Sequence, residues 1–533
     1  MRAGLLAPSE WLFLGLVIVG FGAFVIALGK DMSWDFRNYH WYAPYAFLNG
    51  RMAMDVAVAH QASYYNPFLD IPFYLLATKI SSWFALGVLG MVQGANVVPI
   101  YVMARSVLRL DENRLAAIAV TAVCMTGGLT IGLAGTTYYD NVLSVFALSG
   151  LAIVVFYRDE LENGSLLRGM TIAAIAGFIV GSAVGLKLPQ APFALGFAAA
   201  LIAAPGDTKH RLTRLAAGGI GGVIGVALFS AYWLMHMDAL TGNPLFPYFN
   251  DVIQSPLVAN DSYRDMRFLP GTFTKIIGYP ILFSWNWHIA DDLPFIDIRV
   301  GLAYIAGFVA LGAWLFKKRS NDPLLEPKGA RIIFAFVIVS YLAWLKVFAI
   351  YRYIVTLEML APLVLVGFVG MLPFTRRARL IVVGILFFAA IVTARSYPAD
   401  KTNVSDPYVQ SDAFPIPDPD HAMVLMTGEA PLGFLAPKIP HQIPLLRIDG
   451  WMIQPDDGTR LTAQMKARVN AFKGTLYTLS DAVELQRTRK ALADYDLAIR
   501  WPGCRNIHTN LGGPYLFCPL ARKLSASNDG SKP

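Results

Sequence analysis

The sequence predicts an α-helical polytopic membrane protein of about eleven transmembrane helices, with interfacial helices in its first outer loop and a small C-terminal α/β domain. Three observations predict it. Of 533 residues, 56% are hydrophobic and 15% charged, where soluble domains carry about 25% charged residues. Mean hydropathy is +0.49. Runs approaching the roughly 20 apolar residues that cross a bilayer recur near 11–29, 87–108, 115–133, 140–156, 168–186, 189–204, 213–236, 299–316, 330–347, 353–372 and 379–394. Finally, when these runs are threaded through a membrane, the short connections on one side are all basic.

The first run is long for a signal peptide, and Ala27-Leu28-Gly29 matches a cleavage site only weakly, so a retained first span is expected. With the N-terminus inside, the cytoplasmic connections hold Arg105, Arg109 and Arg114; Arg158 and Arg168; Lys209, Arg211 and Arg214; Lys317, Lys318, Arg319, Lys328 and Arg331; and Arg376, Arg377 and Arg379. That is the positive-inside pattern. The net charge of +8 is thereby read as loop placement among membrane lipids, and nucleic acid is not expected as a partner. The opposite side receives 31–86, 134–139, 187–188, 237–298, 346–352 and 395–533. The expected setting is a bacterial inner membrane, with the N-terminus cytoplasmic and the C-terminal domain periplasmic.

In the first outer segment, SWDFRNYHWYAPYAFLNGR (33–51) is rich in Trp and Tyr, and NPFLDIPFYLLATKI (66–80) is apolar but short. Both are expected to lie along the membrane surface. From about 395 the character changes. Stretches 423–428, 475–481 and 495–501 read as short strands, and 461–472 and 481–495 as helices. The expected domains are a transmembrane domain over 1–394, a Pro/Asp-rich linker over 395–420 and an exported α/β domain over 421–533. Cys504 and Cys518 lie close together in that tail, where an oxidising compartment permits a disulfide; two free thiols are the alternative.

Several outer residues could carry chemistry. Asp35 stands just after the first span beside Arg37, Tyr39 and His40; an apolar, aromatic wall strengthens a carboxylate as a base, whereas a plain loop carboxylate is the simpler account. Asp140, after Tyr139 in GTTYYDN (135–141), is either a helix cap, an active-site acid, or both. Lys187 closes an uncharged run before Leu-Pro, as a snorkelling lysine or a phosphate ligand. Arg352 and Tyr353 open a late span, with Glu358 deeper within it; intramembrane carboxylates are functional candidates by default. Asn243, in NPLFPYFN (243–250), belongs either to a rigid loop clamp or to a sugar or lipid platform, and His288 follows Trp285 and Trp287 near Asp291 and Asp292. No phosphate-binding GxxxxGK[ST], HExxH, GxSxG or strand-following GxGxxG occurs, so a soluble nucleotide cofactor is not expected.

In order and sidedness these features resemble the GT-C glycosyltransferases, in particular the branch with protein O-mannosyltransferases and the aminoarabinose and galacturonic acid transferases of lipopolysaccharide. Asp35 resembles the essential outer Asp of that family. NPFLDIPFYLL is similar to its proline-containing surface helix, YVMARSVLRL (101–110) to its basic end of the second span, and GTTYYDNVLSVFAL (135–148) to its second outer Asp segment. GLKLP (185–189) and Arg352–Tyr353 match later motifs. Glu358 stands near a position where relatives often have proline. The resemblance covers 1–205 and, more loosely, 346–372. It implies an inverting transfer from a polyprenyl-phosphate sugar donor to a hydroxyl of a glycan, lipid or protein acceptor. Asp35 and Asp140 would be catalytic, Arg352 and Lys187 would bind the donor phosphate, and His40, Tyr139, Tyr353, Glu358, Asn243 and His288 would be substrate-site candidates. No cofactor is called for; a divalent metal stays open, although the first loop lacks the acidic pair that would hold one. A polysaccharide polymerase or ligase and a transporter of lipid-linked glycans are the other classes considered; repeated halves, the usual mark of a transporter, are not evident.

Overall fold

Every one of the eleven apolar runs is helical in the computed structural model, which describes residues 6–397 and 400–523. The chain ends (1–5 and 524–533) and residues 398–399 of the expected linker lie outside the described residues. Among the described residues, six helices are long and apolar enough to cross a membrane: Pro8–Leu28, Ser82–Val107, Leu166–Leu186, Thr208–Thr241, Pro327–Val347 and Tyr351–Gly370. Asn113–Cys124, Asp140–Phe156, Leu188–Ala203 and Arg299–Leu315 are shorter apolar helices. Arg376–Thr393 opens on Arg376, Arg377 and Arg379. The first helix leaves Leu12, Leu16 and Val19 each more than half exposed, as a lipid-facing surface requires.

The chain divides into two compact units that do not follow chain order. The first comprises 1–29, 86–232 and 265–401. Its helices start where side chains can satisfy the first backbone N–H groups: Ser165 accepts from Arg168 N, Thr375 from Ala378 N, and Glu326 from Lys328 N and Gly329 N. Leu166–Leu186 packs backbone to backbone on Thr208–Thr241. A Cβ on Gly177 would lie 2.0 Å from Gly218 O, and one on Gly181 would lie 2.1 Å from Gly222 O, so only glycine fits this four-residue repeat. Two of the basic residues counted for orientation are buried structural ties. Arg214 donates to Leu161 O and Pro205 O, each at 2.9 Å, and Arg379 to Asp322 O at 2.7 Å and to Gly370 O.

The second unit comprises 30–85, 233–264 and 402–533. Its sheet runs Leu445–Arg447, Ala422–Met426, Thr475–Asp481, Gly512–Arg522, Leu497–Ile499, with Arg505–Thr509 also paired to Gly512–Arg522. The first three strands are parallel and Gly512–Arg522 is antiparallel to Thr475–Asp481. Helix Arg460–Ala471 covers the sheet with Leu461, Met465 and Val469, which meet Leu425, Leu446 and Leu476 in one core. The three strands and two helices expected in the tail are all present. Leu445–Arg447, Arg505–Thr509 and Gly512–Arg522 were not expected, the last because Pro514 and Pro519 interrupt its pattern.

Two boundaries differ from expectation. Segments 30–85 and 233–264 belong with the sheet rather than with the helices of 1–394, because their backbone is bonded to it or to each other. Val56 N donates to Leu445 O at 2.9 Å, Arg447 N to Val56 O at 3.0 Å, and Trp233 Nε1 to Tyr64 O at 3.1 Å. The segment read as a linker over 395–420 is built in: Arg395–Ser396 pairs with Phe295–Ile296, and buried Tyr408 stacks 5.4 Å from Trp41 while its carbonyl accepts from Lys30 Nζ at 2.8 Å. The stretch 33–51 forms a wide helical turn, Phe36–His40, and helix Tyr42–Leu48; 66–80 contains Ile71–Lys79.

Cys504 and Cys518 are disulfide-bonded. They tie the turn after Leu497–Ile499 to the long strand Gly512–Arg522. The closed loop spans 14 positions, for which the chain-entropy account gives about 3 kcal/mol. Peptide mapping of protein from native membranes without reductant is expected to recover the linked peptides. Both thiols alkylated in full would mean that this tail does not reside in an oxidising compartment.

Candidate functional site

Within the first unit, three segments far apart in sequence bring together residues singled out above. Helix Asp140–Phe156 begins abruptly because Tyr139, its N-cap residue, takes left-handed backbone (φ 61°), a conformation costing a bulky residue about 1–3 kcal/mol. Asp140 then occupies the first helical position with its side chain fully buried. It is not the helix cap: its Oδ1 accepts from Lys187 Nζ at 2.8 Å, and the same ammonium donates to Tyr138 O at 2.9 Å. Asp140 Oδ2 is buried with no hydrogen-bond partner among the described residues. Lys187 ends helix Leu166–Leu186 in extended backbone, just before the break imposed by Pro189. Its ammonium also lies 5.2 Å from the ring centre of Tyr353. The lysine is thus anchored to a carboxylate, a carbonyl and an aromatic face rather than snorkelling.

Arg352 completes the group. Its guanidinium lies over two phenol rings, 4.7 Å from the centre of Tyr138 and 5.3 Å from that of Tyr353, within cation–π range. Its backbone N–H donates to Asp291 Oδ2 at 2.7 Å, and Asp291 Oδ1 accepts from Leu293 N at 3.0 Å. Burial pushes the Asp291 carboxyl up to about 6, against the opposing pull of the Arg352 charge. In the sequence Asp291 stands only as one of an Asp-Asp pair that could line an acceptor cleft, with nothing in the spacing to separate the two. The pair in fact splits: Asp292 turns to Arg267 at 2.8 Å, while Asp291 holds the turn that carries Arg352.

In the second unit, Asp35 opens the turn Phe36–His40 and is half-buried. Tyr39 Oη donates to its Oδ2 at 3.2 Å. The Tyr39 ring lies 4.0 Å from the His40 ring and edge-on to Tyr65 at 5.5 Å, and Tyr65 is hydroxyl-bonded to Tyr248. His40, at the end of the same turn, is a buried partner of Asp70, Nδ1 to Oδ1 2.7 Å.

Other expected site residues have structural work. Glu358 binds the start of the short helix Gly128–Gly132, accepting from Thr130 N at 2.8 Å, Thr130 Oγ1 at 2.6 Å and Leu129 N at 3.2 Å. A Cβ on Gly127 would meet its Oε1 at 1.9 Å, so the carboxylate sits directly on the glycine backbone. This is a carboxyl group bound at the start of a helix. Asn243 is fully buried and clamps its own loop, accepting from Leu245 N at 2.9 Å and donating to Tyr248 O at 3.1 Å. His288 stacks on Trp287, ring centres 3.5 Å apart. Among the described residues no three His, Cys, Asp or Glu side chains gather as a metal-binding set.

No family model matches the chain, and no curated protein matches it. The functional reading therefore stands on what these side chains can do. A lysine and an arginine fixed beside phenol rings can neutralise an oxyanion at a poorly solvated surface. A half-buried carboxylate hydrogen-bonded to a tyrosine can take a proton.

Proposed function

We propose that the chain is a membrane-bound glycosyltransferase that transfers a sugar from a polyprenyl-phosphate donor to a hydroxyl acceptor on the non-cytoplasmic side of a bacterial inner membrane. The observation that carries this reading is the gathering of Asp140, Lys187, Arg352, Tyr138 and Tyr353 from three distant segments. In the proposed reaction Asp35 takes the proton of the acceptor hydroxyl. The oxygen attacks the anomeric carbon in line, the bond from that carbon to the phosphate oxygen breaks, and polyprenyl phosphate leaves with the electron pair. Configuration inverts. Arg352 and Lys187 stabilise the leaving phosphate, whose charge would be costly unpaired at a low-dielectric interface; Asp140 fixes Lys187. The test is turnover by purified protein with defined polyprenyl-phosphate sugars, set against polyprenyl-diphosphate oligosaccharides. Turnover of only the diphosphate donors would move the reading to a polymerase or ligase, and turnover of neither would end it.

Arg352→Lys is expected to impair that turnover at least about tenfold although charge is kept. A planar guanidinium can stack on an aromatic face and offers two parallel hydrogen bonds to a phosphate; an ammonium, a compact point charge, does neither. Near wild-type rates in the lysine variant would reduce Arg352 to an anchor of its turn.

A further inference from the structure

The second unit holds an aromatic group that the proposed chemistry does not use. Trp34, immediately before Asp35, stacks on Trp451 with ring centres 5.3 Å apart and planes 19° from parallel. His60 lies 6.0 Å from Trp34 and 6.2 Å from Trp451, so the three rings form one platform. Trp451 is 54% exposed, a large apolar area to leave in water.

The platform is rigidly held. Trp451 N donates to His60 Nδ1 at 3.4 Å. Burial, helped by the neighbouring Arg447 charge, pushes the His60 imidazole well below its usual range, which keeps the ring neutral and Nδ1 an acceptor. Buried Arg447 ties the surrounding loops by donating to Val58 O, Gly428 O and Ala430 O. Beside the exposed indole stands a polar rim. Arg487, held by Asp449 two residues before Trp451, donates to Asp449 Oδ2 at 2.6 Å and to Glu429 Oε1 at 2.5 Å.

We infer that Trp34 and Trp451, rimmed by Glu429, Asp449 and Arg487, form a saccharide-binding subsite, and that the acceptor taken beside Asp35 is a glycan. A pyranose ring presents a face of weakly positive C–H groups, which an indole face attracts, and an edge of hydroxyls, which carboxylates and a guanidinium bind in defined directions. A preformed indole pair with charged groups at its margin offers both. A membrane-anchoring tryptophan would instead stand on apolar ground with its N–H toward headgroups, not among two carboxylates and an arginine. The inference rests on the glycosyltransfer reading only in calling the saccharide an acceptor.

The test is capture of the full chain, in lipid nanodiscs and without donor, on an array of neutral hexose, amino-sugar and uronate oligosaccharides. Wild type is expected to bind a subset. Trp451→Ala should weaken that binding at least about tenfold, the scale of one lost aromatic stacking contact, and Trp451→Phe should recover part of it. Because no donor is present, failed sugar transfer would leave this result intact. No capture by wild type would overturn the subsite. So would equal capture by Trp451→Ala, and quenching of Trp451 by brominated lipid in that case would identify a membrane anchor.

Discussion

Asp140→Asn is expected to lose both thermal stability and turnover, and adding Lys187→Met is expected to restore only the stability. The two side chains form a 2.8 Å ion pair in which the carboxylate is fully buried and the lysine is 18% exposed. Breaking one partner of a buried pair costs about 3–5 kcal/mol, because the remaining charge is left without compensation. The partial exposure of Lys187 puts Asp140→Asn at or below the lower end of that range, whereas Lys187→Met alone, which strands the buried carboxylate, should fall at the upper end. Replacing both charges removes the penalty, so the double variant should melt near wild type. Turnover should not follow. If the ammonium stabilises the leaving phosphate, its loss costs about 10²–10³-fold, the effect of deleting one donor from a preorganised anion site. Thermal melts and sugar transfer measured on the four proteins decide the matter. A double variant with wild-type turnover would make the pair a fastening of helix Asp140–Phe156 and nothing more.

The positions at which sequence reading succeeded share a local signature. Apolar runs became helices because an apolar stretch of that length has few other ways to satisfy its backbone in lipid. Lys187 and Arg352 were visible as charges at the ends of uncharged runs, next to a Pro or Tyr that marks where a span stops. Their meeting with Asp140 was not visible, since it joins segments about 50 and 210 positions from Asp140 through tertiary packing alone. Nothing in the sequence separates Asp291 from Asp292 for the same reason: its tie to the site is a hydrogen bond from Arg352 N, 61 positions away. Glu358 carries a structural role that its sequence context does not show: an intramembrane carboxylate is a functional candidate by default, and the start of helix Gly128–Gly132 supplies three donors for it that no pattern around Glu358 announces. For segments 30–85 and 395–420 the sequence falls short on grouping rather than on type. Nothing in the composition of 30–85 tells that Val56 pairs with Leu445, or that the Pro/Asp-rich stretch packs Tyr408 into an aromatic core. The basic connections carry a related lesson: Arg214 and Arg379 are consumed in binding carbonyls at helix ends, so local packing by itself requires a cation there.

Asp35→Asn is expected to leave the fold intact and abolish most turnover. Asparagine has nearly the same size and can still accept the Tyr39 hydroxyl, which approaches Asp35 Oδ2 at 3.2 Å, but it cannot take a proton at neutral pH. Loss of a positioned general base typically costs about 10²–10⁴-fold in rate. Donor affinity should be unchanged if Asp35 serves the acceptor, so the loss should fall on kcat rather than on donor KM. Asp35→Glu should recover little, because one methylene moves the carboxylate by roughly an ångström and in-line attack tolerates little misplacement. Tyr39→Phe provides the control. It removes the hydrogen bond and keeps the base, so a modest fall in kcat is expected, far smaller than for Asp35→Asn. The competing account makes Asp35 a carboxylate that only shapes the turn Phe36–His40. Under it, Asn would be nearly silent and Tyr39→Phe about as harmful as Asp35→Asn. Transfer from a short-chain polyprenyl-phosphate donor by purified variants separates the two. Retention of more than about a tenth of wild-type turnover in Asp35→Asn falls well short of a lost general base and would shift the search for the base away from Asp35.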